Sequence, residues 1–63
     1  MKPGDLRRWN YPEEMPASFN GAAIFMVLEV RDGRADFLID GKSVRSWSTN
    51  WICKHSAPLN ETR

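Results

Sequence analysis

Apolar and polar positions are unevenly spread along this chain. Nearly every bulky aliphatic residue falls between positions 22 and 55, in short runs separated by turn signals. Residues 22–30 form the longest run, with Ile24, Met26, Leu28 and Val30 on one face of an extended segment and Ala23, Phe25, Val27 and Glu29 on the other. Two apolar faces predict a strand covered on both sides, as a long bent strand of a curled sheet would be. The alternative is that Phe25 and Val27 face outward and mark an interface. Asp32-Gly33 follows, a pair suited to the type I′ hairpin turn, whose two central residues both need positive φ. Residues 35–39 then alternate Ala35, Phe37 and Ile39 against Asp36 and Leu38, the pattern of a half-buried strand. Asp40-Gly41 repeats the turn chemistry and leads into residues 42–47, with Val44 inward and Arg45 and Trp47 on the opposite face.

The flanks are less regular. Pro3-Gly4-Asp5 reads as a turn and Leu6-Arg7-Arg8-Trp9 as a brief edge strand. Residues 10–21 contain Pro12 and Pro16 and close on Asn20-Gly21, which predicts a long loop with at most one helical turn, pinned over the core by Tyr11, Met15 and Phe19. Ser48-Thr49-Asn50-Trp51 breaks the alternation. Its side chains compete for backbone groups, so a 3₁₀ turn is expected there. Residues 52–55 read as the closing strand and residues 56–63 as a flexible tail holding Pro58.

This order of elements resembles the SH3-like barrel. The expected fold is therefore all-β, a small five-stranded barrel over residues 1–55 with a long first loop and a 3₁₀ turn before the last strand. The Lys2-Pro3-Gly4-Asp5-Leu6 opening, and the progression from Val27-Leu28-Glu29-Val30 through Asp-Gly to the paired tryptophans, are similar to small SH3-like-barrel proteins of marine bacteriophages, cyanophages among them. That resemblance implies a viral protein made in the host cytoplasm: a virion accessory, a tail or capsid component, or a small infection protein that binds a host factor. Peptide-binding SH3 domains carry a tyrosine-rich first strand and an acidic long loop. Here Tyr11 stands alone, Glu13 and Glu14 are the loop's acids, and Trp47 falls later than that family's groove tryptophan, so proline-rich ligands are not expected. The glycine-rich pattern of KOW-type nucleic-acid modules is also missing.

Size narrows the picture. A chain of 63 residues makes one domain, and one this small buries only about 60% of the surface its unfolded form exposes. The single Cys53 excludes an internal disulfide, and no Cys/His set has zinc-ligand spacing, which leaves a compact barrel stable by itself or one stabilised by assembly with a partner. Nine basic and eight acidic residues give a formal charge of +1, without the concentrated positive charge of a phosphate-dependent binder. No apolar run is long enough to span a membrane, and Pro3, Gly4 and Asp5 stand where a signal-peptide core would begin, so cytoplasmic synthesis is expected. Asn60-Glu61-Thr62 fits a glycosylation sequon, read as a chance match.

Candidate chemistry is sparse. Cys53 and His55 would share a face of the closing strand, but a nucleophilic thiol needs a third group to orient its base, and none is visible. Asp32, Asp36 and Asp40 read as solvated acids at turns or outward positions, without the ligand density of a calcium loop. No enzyme activity, metal, cofactor or small-molecule substrate is expected. Three tryptophans are many for so narrow a core: Trp51 is expected inside, and at least one of Trp9 and Trp47 outside. Tryptophan and arginine dominate interface hot spots. Trp9, Trp47 and Arg45, extended by Phe25, are therefore the expected docking patch for another protein chain, a second copy of this one included. The alternative is a nucleic-acid face built from Arg7, Arg8, Trp9, Arg45 and Trp47, with indoles stacking on bases.

Overall fold

A computed structural model describes residues 1–59. Five antiparallel strands form one sheet: β1 (Leu6–Trp9), β2 (Ile24–Arg31), β3 (Arg34–Ile39), β4 (Lys42–Ser48) and β5 (Ser56–Pro58), in the order β4-β3-β2-β1-β5. One helix, α1 (Thr49–His55), precedes β5. Both Asp-Gly reversals form as their chemistry predicts. Asp32 and Gly33 have φ of 50° and 74°, Asp40 and Gly41 of 52° and 75°, and each pair closes a two-residue hairpin.

The inner face of the sheet carries the core: Trp9, Phe25, Val27, Ala35, Phe37 and Ile39, joined by Phe19 from the loop and Ile52 from α1. It is an aromatic stack more than an aliphatic one. Trp9 lies on Phe25 at a centroid distance of 4.3 Å and on Phe19 at 5.5 Å, with Phe37 meeting it edge-on at 5.7 Å. Such pairs add roughly 0.5–1.5 kcal/mol beyond the area they bury. The outer face of β2 is left open, with Ile24 and Leu28 exposed and Met26 half-buried. Phe25 and Val27 thus point inward. Both the two-sided burial expected for this strand and the outward alternative for these two residues are corrected.

Of the second apolar set on β2 only Val30 packs on the core, and a change of register brings it there. A bulge between Val27 and Glu29 inserts one extra residue opposite β3, so Val30 pairs with Ala35 on the inner face although it differs in parity from Val27. β4 repeats the device. Val44 pairs with Phe37 and Trp47 with Ala35, three positions on β4 against two on β3. The parity change puts Trp47 on the same side as Val44, not opposite to it, and both pack partly buried against the core.

The loop from residue 10 to residue 23 makes two short 3₁₀ turns, Pro12–Glu14 and Ala17–Phe19. Phe19 is buried and Met15 packs on the core, whereas Tyr11 stays 58% exposed and pins nothing. The C-terminal part departs most from expectation. Residues 49–55 form an α-helix where a 3₁₀ turn and a strand were expected, and the closing strand is β5, inside the segment read as a tail. Ser48 caps the helix, its Oγ accepting from the Trp51 amide at 3.3 Å, and Lys54 stands in the last turn, where a cation suits the helix dipole. Ile52 is fully buried, Trp51 and His55 are half-buried, and Asn50, Cys53 and Lys54 are exposed, a helical and not an alternating spacing. Residues 60–63, with the sequon, lie outside the described residues.

Candidate functional site

The β4 bulge is held from β3. Ser46 sits at its centre with φ of 57°, a conformation that costs most non-glycine residues about 1–2 kcal/mol. Two side chains compensate by occupying its backbone. The Ser46 amide donates to Asp36 Oδ1 at 2.9 Å, and Arg34 Nη1 donates to the Ser46 carbonyl at 2.9 Å. Asp36 Oδ2 also lies 3.6 Å from Arg31 Nη2, while Arg31 Nη1 lies 2.8 Å from Glu29 Oε1. Asp36 is therefore 9% exposed and engaged, not the solvated acid its position suggested.

Beyond the bulge, the chain delivers Trp47 beside Trp51 of α1. Their rings meet edge-to-face at 5.5 Å, and His55 continues the row at 4.5 Å from Trp51. Both indoles are half-buried, with inner edges on the core (Trp47 on Phe19 and Phe37, Trp51 on Trp9) and outer edges facing an open groove. That groove, of about 580 Å³, is lined by Arg34, Arg45, Ser46, Trp47, Ser48 and Trp51. Among the described residues, neither Arg34 nor Arg45 has a carboxylate within ion-pair distance, because the nearby acids Glu29 and Asp36 are turned to Arg31. The groove thus pairs two indole edges with two guanidinium groups that form no ion pair among the described residues.

Arg45 and Trp47, expected together, are together. Trp9 and Phe25 are each 1% exposed and contribute to the core, not to a docking patch. Trp9 and Trp51 have changed places with respect to expectation, the first inside and the second at the surface. The basic-aromatic face expected for nucleic acid is split in the same way. Arg7 is buried on the inner side of β1, its Nε donating to Ser56 Oγ at 2.9 Å and its Nη2 to the Ser56 carbonyl at 3.2 Å. Arg8 is exposed in a separate groove with Ala57 and Pro58, and two strands intervene between β1 and β4 in the sheet. Arg34 and Trp51 were missed. Trp51 carried a signal, since a Ser48 cap followed by Trp51, Ile52 and His55 has helical spacing; Arg34 beside a turn carried none.

Cys53 and His55 no longer share a face, because residues two apart on a helix point away from each other. Cys53 is exposed, and His55 rests on Trp51. Among the described residues no group of three or more His, Cys, Asp or Glu side chains is placed to hold a metal ion, and no helix is long and apolar enough to cross a membrane. No family model, curated protein or solved structure matches the chain.

Proposed function

We propose that this protein is a small SH3-like-barrel module that docks another protein chain in the Trp47–Trp51 groove. The observation that carries the reading is the pair of half-buried indoles held side by side on the core, with arginines at the rim. Aromatic and arginine side chains anchored this way lose little freedom on binding, which is why they recur as hot spots. The strand order, the long loop after β1 and the helix before β5 fit SH3-like connectivity and support that finer fold. β4 is an outer strand, and at Ser46 the bulge takes up both backbone groups, which interrupts that edge beside the groove. The bacteriophage setting rests on the sequence resemblance alone, with a virion subunit or a host factor as the implied partner.

A photoreactive phenylalanine analogue at Asn50, exposed beside Trp51, tests the reading. Adducts to a protein chain that vanish in a Trp47→Ala background are expected. Equal adducts from the same analogue placed at Ile24, on the outer face of β2, would overturn it. The second reading is single-stranded nucleic acid, favoured by the two arginines flanking stackable indoles. A steep loss of affinity between low and physiological salt belongs to that reading and not to apolar docking.

A further inference from the structure

We infer that the occupant of the groove is an acidic extended segment, one that sets carboxylates on Arg34 and Arg45 and an apolar side chain between them on Trp47 and Trp51. This rests on the groove being the docking site. The charge argument comes from the disposition of the acids. Glu29 and Asp36 are the carboxylates of β2 and β3: Glu29 pairs with Arg31, Asp36 divides between Arg31 and the Ser46 amide, and neither forms an ion pair with Arg34 or Arg45. Arg34 is held in place by its bond to the Ser46 carbonyl, which uses one nitrogen and leaves the rest of the guanidinium for a ligand. Arg45 is exposed and forms no ion pair among the described residues. Ser46 and Ser48 line the groove with small polar groups, and the Asp36 carboxylate behind Ser46 is taken up by the Ser46 amide and Arg31.

A planar guanidinium held by one bond is suited to bidentate capture of a carboxylate. The number of charges favours a peptide over a nucleic acid. Two cations in a chain of net charge +1 can balance two carboxylates on a short segment, while a strand carrying a phosphate on every nucleotide would need a longer basic track.

Panning a random dodecapeptide library on the immobilised protein and on Trp47→Ala, with an eight-nucleotide oligothymidylate titrated in parallel, tests the inference. Peptides enriched by the wild type over Trp47→Ala are expected to be acidic. Their affinity should fall about tenfold in Arg45→Gln, and further in the double variant Arg34→Gln/Arg45→Gln. Unchanged melting temperatures of these variants separate lost charge from lost fold. Enrichment of neutral or basic peptides that still require Trp47 would overturn the acidic partner and leave the docking groove standing. The absence of any Trp47-dependent peptide would remove both, and binding of the oligonucleotide in its place would transfer the groove to the nucleic-acid reading.

Discussion

β3 and the two strands that flank it run side by side, yet only β3 keeps an unbroken alternation. Ala35, Phe37 and Ile39 face in along its length, while β2 and β4 each insert an extra residue at the level of Asp36. β3 is paired on both sides and serves as the straight ruler of the sheet. Its neighbours change phase against it, which brings Val30 and Trp47 to the inner side and bends the sheet around the aromatic stack. The difference teaches where information about facing resides. In the regular strand it lies in the local period of two. In the bulged strands it lies in a contact made by another strand, since the Asp36 carboxylate that takes the Ser46 amide is ten residues away.

The largest effect on this contrast should come from the ruler itself. Phe37→Ala removes the ring at the centre of the stack and should cost about 3–5 kcal/mol, enough to abolish cooperative urea unfolding in a domain this small. Retention of a sharp transition would show that the aromatic stack is not the main source of stability. Asp36→Ala should come next, at about 2 kcal/mol, because it leaves the Ser46 amide without its acceptor and takes from Arg31 one of its two carboxylate partners. A red shift of Trp47 emission should accompany the loss, and Asp36→Asn, which keeps one acceptor, should show less of both. If Asp36→Ala leaves Trp47 emission unchanged, the bulge does not depend on that carboxylate.

Ser48→Ala should cost about 1 kcal/mol by removing the cap of α1, and loosening of the helix should appear as faster amide exchange at Trp51. Smaller still, Ser46→Gly should raise stability by about 0.5 kcal/mol, the relief of a positive φ being partly offset by the greater freedom of glycine in the unfolded chain. Loss of stability there would mean that the serine side chain does more than tolerate the bulge. Ile24→Thr, on the open outer face of β2, should fall within about 0.5 kcal/mol of wild type in the same denaturation assay.

Legibility follows the same division. Both hairpins were readable because the demand for positive φ is local and Asp-Gly meets it within two residues. The inward set of β3 was readable from its period. The faces of Trp9 and Phe25 were not, since β1 and β2 have plausible apolar residues on either side and only the join with Phe19 and Phe37 decides between them. At the C-terminal end, Ile52 and Cys53 read as strand by residue type, while the Ser48 cap and the packing of Ile52 under the sheet select a helix. Half of the candidate site, Arg45 and Trp47, was named from residue type. Arg34 and Trp51 joined it through the hairpin register and the helix, which no local pattern announces.

By itself the sequence determined that this chain is β-rich, that it reverses at two Asp-Gly turns, and that its aromatic content is large for its size. Each of these follows from the intrinsic preferences of neighbouring residues. The tertiary structure alone decided which tryptophan is core and which is surface, because that choice depends on a bulge stabilised from a neighbouring strand and on a helix selected by packing. Free energies of that kind arise between residues distant in the chain, and only the assembled sheet brings them within reach of one another.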